Sequence, residues 1–217
     1  MKVKYYMSTD VKTISPDASV IDAFVLMNRN NIRRLPIVEN GKLVGIVTLS
    51  DLENVPINKP TTLNFFGTSY LLEKTLLRDI MPENREVITV GPDDYLETAA
   101  ALMREHVIGA LPVLENDKIV GIITETDIFD AFTRIMGFGN KDTTRIDMKL
   151  VDRPGELARI ANIISDLGGN IANIVRIDLP GDDKVHLVLR ITCSDPSAVV
   201  SRLKESGFEV ENVNGKE

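Results

Sequence analysis

Cysteine and histidine are nearly absent from this chain of 217 residues: Cys193 is its one cysteine, and His106 and His186 are its two histidines. A single thiol excludes an internal disulfide framework and every multi-cysteine zinc or iron–sulfur site, and two histidines leave little for a histidine-based metal centre. No metal is expected. Long apolar runs are missing, and the opening MKVKYYMSTD has no secretory h-region, so neither a spanning helix nor a signal peptide is expected, and the cytoplasm is the expected compartment. Positive charge is also in deficit. The net charge is −7 from 25 basic and 32 acidic residues, divided as 14 against 19 in residues 1–140 and 11 against 13 in the remainder. Neither part has the basic excess of a nucleic-acid binder, and an anionic membrane surface is an equally poor partner. What is present, 43% hydrophobic and 26% charged residues at a mean hydropathy of 0.00, reads as globular protein with length for one or two ordinary domains or several small ones.

A repeat occupies the first two thirds. Sliding the chain by 76 residues places residues 13–52 on 89–128 without a gap and with 17 identities, among them Thr13, Pro16, Ala23, Met27, Ile32, Pro36, Gly45, Thr48 and Asp51 on Thr89, Pro92, Ala99, Met103, Ile108, Pro112, Gly121, Thr124 and Asp127. Each copy reads as strand, helix, two strands and helix. Val20, Ala23, Phe24 and Met27, and likewise Leu96, Ala99, Ala100 and Met103, have the i, i+3, i+4, i+7 spacing of an apolar helix face. LPIV and KLVGIV, then LPVL and KIVGII, flank turns built from Glu39, Asn40 and Gly41 and from Glu115, Asn116 and Asp117. Neither unit is large enough to bury both faces of its sheet, so the two should pack on each other.

The most chemically informative segments are GIVTLSD (45–51) and GIITETD (121–127). In each, a threonine stands at the expected N-cap of a helix with an aspartate three residues on. Two readings apply. As a capping box, Thr48 and Thr124 cap while Asp51 and Asp127 fold back on the cap amide. As a binding site, free amides and a hydroxyl at a helix start suit phosphate, and a nearby carboxylate suits the hydroxyls of a ribose. One residue can serve both at different ligand occupancy.

These paired G-h-h-T-x-x-D segments, with RRLP (33–36) and GALP (109–112) ahead of them, resemble a tandem of CBS domains over residues 1–136. The resemblance implies a pseudo-twofold module whose clefts hold adenosine compounds: nucleotides, dinucleotides or S-adenosylmethionine. It implies that Asp51 and Asp127 take ribose and Thr48 and Thr124 the phosphates. The adenine is then expected near the backbone of Thr13 and Ile14 or Thr89 and Val90, against Ile32, Pro36, Ile108 and Pro112. Arg33 and Arg34 suit a phosphate or are solvated surface charge. The second copy has Gly109 and Ala110 in their place and His106 three residues earlier, so it allows close backbone approach but lacks the cation, and the two clefts should differ.

Between the copies, Pro56 and Pro60 should stop the first copy's second helix early, Phe65 and Phe66 beside Gly67 are either packed or a partner surface, and YLLEKTLLRDI predicts a helix with Leu71, Leu72, Thr75 and Leu76 on one side. The second copy runs on through IFDAFTRIM into a Gly137, Gly139, Asn140 linker. From Thr144 the pattern becomes β-α-β-β-α-β, a ferredoxin-like plan, with a turn at Pro180, Gly181, Asp182 and Asp183, and with Asp195 as N-cap, Pro196 as first helical residue and Gly207 past the end of the second helix. His186 alternates away from Leu187 and Leu189 toward the opposite face, and Cys193 reads as a small buried hydrophobe. The fold class is therefore mixed α+β and α/β: repeat 1 at 1–53, a helical strap at 54–79, repeat 2 at 80–136, a linker at 137–143 and a last domain at 144–214.

DRPGEL (152–157) and GGNI (168–171) resemble an ACT domain over about residues 143–214. The resemblance implies dimers and an amino-acid site where the first β-α loop meets the GGNI turn of a neighbour, pointing to Asp152, Arg153, Pro154, Gly155, Gly169, Asn170 and Ile171. The same residues also start and end a helix without any ligand. The whole arrangement resembles the AcuB-type acetoin-utilisation proteins of bacteria. The expectation is a homodimeric regulatory protein, not an enzyme, with a small-molecule adenosine effector and no required cofactor. The alternative is an adaptor that docks a partner enzyme without a ligand.

Overall fold

The computed structural model describes residues 1–55, 72–81, 86–139, 142–181 and 184–214. The chain divides into two compact units, Met1–Phe129 and Asp130–Glu217. Phe65, Phe66, Pro56, Pro60, Leu71, Asn140, Asp182 and Asp183 lie outside the described residues.

In the first unit each repeat is built on one helix and one hairpin. Helix α1, Val20–Asn30, is started by Ser19 and Asp22, which satisfy each other's amides at 3.1 Å, and is stopped by Asn31 in the left-handed region. Strands β1, Arg34–Glu39, and β2, Lys42–Thr48, follow, joined by Asn40 and Gly41, both at positive φ as a two-residue primed turn demands. Helix α2, Leu49–Glu53, ends after five residues, ahead of Pro56. Met27, Leu35, Ile37 and Leu52 form the core of this repeat with Val20, Ala23 and Val47, whereas Phe24, expected on the buried face, is 43% exposed. It sits at the border of a stripe that is filled by the other positions.

A short helix α3, Leu77–Ile80, precedes the second repeat, which comprises α4, Leu96–His106, β3, Ala110–Glu115, β4, Lys118–Thr124, and α5, Glu125–Ile135. Its hairpin turns through Asn116 and Asp117 at positive φ, and both hairpins carry a bulge at the same register, after Ile37 and after Val113. Helix α4 ends at Val107, a β-branched residue held at φ 54. The predicted leading strand of each copy shrinks to one residue, Ile14 bridging Ile37 and Val90 bridging Val113.

The segments that lead into the repeats are exchanged. Residues ahead of repeat 1 pack on repeat 2: Val3 and Lys4 donate their amides to Asp94 and Pro92, Ser8 bridges Ile122, and Lys2 and Lys4 pair with Asp93. Residues ahead of repeat 2 pack on repeat 1: Val20 N–H donates to the Thr75 carbonyl, Leu77 N–H to Ala18, and Arg78 pairs with Asp17, the register equivalent of Asp93. Met7 lies over Gly121 and Met81 over Gly45, each where a Cβ would collide. This exchange corrects the predicted continuous helix over YLLEKTLLRDI. Leu76 is extended and bridges Ser19, so the helix breaks there and resumes at Leu77.

The second unit begins within α5 and contains β5, Thr144–Leu150, α6, Glu156–Asp166, β6, Asn170–Asp178, β7, Val185–Thr192, α7, Pro196–Glu205, and β8, Glu209–Asn214. The sheet order β6-β7-β5-β8 is antiparallel throughout. Ile160 and Ile164 of α6 and Val199 and Leu203 of α7 cover Ile146, Met148, Leu187, Leu189 and Ile191 on one face. Asp195 caps α7 by accepting from the Ser197 and Ala198 amides at 3.0 Å. On the other face, Arg190 is buried and donates to the Met136 carbonyl at 3.1 Å, and Asn173 donates to Ile135, so two sheet side chains satisfy carbonyls at the end of α5. His186 is on this face too, 3.8 Å from Glu211. Burial pushes the half-buried Cys193 thiol up, with Asp195 adding to the effect, which fits an inert side chain. Among the described residues no helix is long and apolar enough to cross a membrane.

Candidate functional site

The hairpins place each T-x-x-D segment where β2 or β4 runs into a helix. There Asp51 Oδ2 accepts from Thr48 N at 2.8 Å and Thr48 Oγ1 at 2.7 Å, and Asp127 Oδ2 accepts from Thr124 N and Oγ1, both at 2.7 Å. The capping boxes are thus formed, and both cap bonds of each carboxylate fall on Oδ2. A carboxylate has a second oxygen with its own lone pairs, so Oδ1 can accept from hydroxyls without dismantling the cap.

Each T-x-x-D segment faces the other repeat. One cleft, a cavity of about 680 Å³, joins Thr48, Ser50 and Asp51 of the first repeat to Ile108, Gly109, Ala110 and Pro112 of the second, with His106 and Arg34 at its wall and Met81, Glu86 and Ile88 closing it. The other, of about 540 Å³, joins Thr124, Glu125 and Thr126 of the second repeat to Ile32, Arg33, Arg34 and Pro36 of the first, with Ser8, Asp10 and Lys12 alongside. Both volumes lie in the range of small-molecule and cofactor pockets. The apolar I-x-x-x-P wall of each copy therefore meets the cap threonine of its twin, joined in the first cleft by the capped Asp51. Asp127 is beside this second cavity through Thr124 and is absent from its lining, as are Thr13, Ile14, Thr89 and Val90 from both cavities. Ile14 and Val90 are used up in the bridges to β1 and β3.

The second unit has a groove of about 480 Å³ lined by Asp152, Arg153, Pro154, Gly155 and Arg176 over Leu150 and Leu187. Arg176 joins Asp152 at 2.9 Å and Asp178 at 3.0 Å, and the two carboxylates hold its guanidinium above the usual arginine range. Gly169, Asn170 and Ile171 are elsewhere: Asn170 pairs with Thr192 while Leu150 pairs with Val185, the two ends of β7. Seven residues of strand separate them by roughly 23 Å. One copy of the domain does not unite these two motifs.

CBS domain models match residues 3–56 and 77–134, just over half of the chain. The chain belongs to the CBS domain family. A TTHA0829-like ACT domain model matches residues 142–214, so the architecture is a CBS pair followed by an ACT domain. Among curated relatives, MJ1225 of Methanocaldococcus jannaschii is 38% identical over 128 residues, which are 58% of this chain and 45% of that protein. The chain spans less than half the length of the first curated relatives that it matches. Among solved structures, AcuB from Vibrio cholerae is 32% identical with a TM-score of 0.51, covering 64% of this chain and 96% of that one. The CBS pair of MJ0100, solved in complex with 5′-methylthioadenosine and S-adenosyl-L-methionine, is 29% identical with a TM-score of 0.50, covering 62% and 97%.

Within this CBS pair the sequence pointed to the two motifs of each cleft but not to their exchange, because a repeat gives no information on which copy faces which. It also passed over Lys12, Glu86, Glu125 and Arg176. Three of these had a signal in the repeat register, where Lys12 stands on Ile88, Asp10 on Glu86 and Glu125 on Leu49. Arg176 had none, since it acts through strand pairing.

Proposed function

We propose that this protein is a non-catalytic sensor whose CBS pair binds an adenosine-containing small molecule in the two crossed clefts. The observation that carries the reading is the cleft in which Thr48 and the capped Asp51 meet the Ile108 and Pro112 wall of the other repeat, echoed in the second cleft, where Thr124 meets Ile32 and Pro36. The carboxylate's second oxygen suits ribose hydroxyls, the apolar wall suits a purine, and Arg33, Arg34 and Lys12 suit phosphate in the Asp127 cleft. The likeness to the MJ0100 CBS pair supports an adenosine ligand. Ligand binding that favours one arrangement of the molecule over another would then be the regulatory output. Likeness to AcuB supports a setting in acetoin use, for which loss of growth on acetoin after deletion is the test.

Amino-acid binding by the ACT domain requires a second copy under this reading, because only a neighbour can bring GGNI to the Asp152 and Arg176 groove. A monomer would therefore be unable to bind an amino acid at this site. For the CBS clefts the test is calorimetry with S-adenosylmethionine, 5′-methylthioadenosine, AMP and NAD, against CMP as control. Saturable heat from at least one adenosine compound, with the compound recovered unchanged and none from CMP, is expected. No heat from any of them would overturn the reading in favour of an adaptor with vestigial clefts.

A further inference from the structure

Arg34 lines both clefts. Its half-buried side chain crosses from β1 to the second repeat, where a Cβ on Gly109 would overlap Arg34 Nη2 and stand 2.7 Å from Glu125 Oε2. A cation from the first repeat and an anion from the second therefore converge over a position that has to be free of a side chain. In the repeat register Arg34 corresponds to Ala110, Gly109 to Arg33 and Glu125 to Leu49, so the pseudo-symmetric position holds none of this arrangement. Arg34 is the guanidinium common to both clefts, while Arg33 and Lys12 line the Asp127 cleft alone.

A guanidinium fork engages one phosphate through two parallel N–H donors, and its planar geometry does not serve a second phosphate on the opposite side equally. We propose that Arg34 is a shared anion-binding group that couples the two CBS clefts negatively. A phosphate-bearing adenosine ligand in one cleft draws Arg34 to that side and lowers the affinity of the other cleft for a second such ligand. Neutral adenosine ligands do not engage Arg34 and fill the clefts independently. The coupling rests on the adenosine-binding reading above, and by linkage it is equal in both directions.

The test compares AMP with adenosine by calorimetry on the full chain. Asp51→Ala and Asp127→Ala each disable one cleft and give the single-cleft constants. The expected result is that wild-type protein binds its second AMP at least fivefold more weakly than the single-cleft constants predict, in the range usual for site coupling. Adenosine follows those constants, and Arg34→Ala restores agreement for AMP. Glu125→Gln, which removes the anion that converges with Arg34 on Gly109 and leaves Arg34 in place, is expected to tighten the first AMP without changing adenosine, and it tests the same cluster should Arg34→Ala unfold. A wild-type AMP isotherm equal to the sum of the single clefts, or a discrepancy that persists in Arg34→Ala, overturns the coupling while leaving adenosine binding intact. Failure of both AMP and adenosine to bind overturns both.

Discussion

Asp127 serves as a cap in the structure and as a ribose acceptor in the proposed function, and the two roles can be separated by a matched control. Asp22 makes the same capping box with Ser19 at the start of α1, and neither Asp22 nor Ser19 lines a cleft, whereas Asp127 is bonded to Thr124, which lines the second cleft. Replacing either aspartate by alanine removes two hydrogen bonds to a carboxylate, those of Asp127 at 2.7 Å and those of Asp22 at 3.1 Å and 2.7 Å. Capping substitutions of this kind cost about 1 to 2 kcal/mol. For a cooperative unit of this size that is a fall of about 4 to 8 °C in Tm, and both variants should show it in a thermal scan without ligand. Only Asp127→Ala should lose affinity. Removing a charged acceptor for ribose hydroxyls costs roughly 2 to 3 kcal/mol, or about 30- to 150-fold in Kd for the cleft concerned. Equal affinity losses in the two variants would show that binding merely tracks stability, and an unchanged Kd in Asp127→Ala would refute the ribose role.

Two further predictions concern the scaffold. Val107 holds a left-handed conformation at φ 54 while 90% exposed, and its repeat equivalent Asn31 takes φ 52 with a side chain that tolerates it. Since that conformation costs a β-branched residue roughly 1 to 2 kcal/mol, Val107→Asn should raise Tm by about 4 °C, and a fall would show that the valine is held by packing. Asp93, paired with Lys2 and Lys4, is held down to about 2 from 3.8, so its contribution is complete above about pH 5 and is lost as the pH falls through about 2. Asp93→Asn should therefore lower Tm at pH 7 in low salt, by much less at pH 2 and not at all in 1 M salt, and a deficit that persists in 1 M salt would contradict an exposed ion-pair origin.

The features legible in the sequence were those written in local patterns. Asn40 and Gly41 announced a primed turn, Thr48 and Asp51 a capping box, Asp195 and Pro196 a helix start, and the 76-residue register the duplication itself. What stayed hidden depends on contacts between residues far apart in the chain. The exchanged lead segments pair Ser8 with Ile122 and Leu76 with Ser19, and a helical pattern over residues 70–80 gave no sign that Leu76 would be drawn out into a bridge. The clefts followed the same rule. Ile108, Pro112, Thr48 and Asp51 were each visible as candidate residues, but their union in one cavity comes from repeat-on-repeat packing. In the ACT domain the two motifs that sequence alone would join are held at opposite ends of β7, a separation that only strand register reveals.

The central claim, that the crossed CBS clefts take an adenosine compound, is tested most directly by mass spectrometry of small molecules released from freshly purified, denatured protein. The account predicts recovery of an adenosine-containing compound, at up to two molecules per chain, that is lost when Asp51 and Asp127 are both replaced by alanine. Release of no such compound, together with no binding of any adenosine compound to the stripped protein, would contradict it.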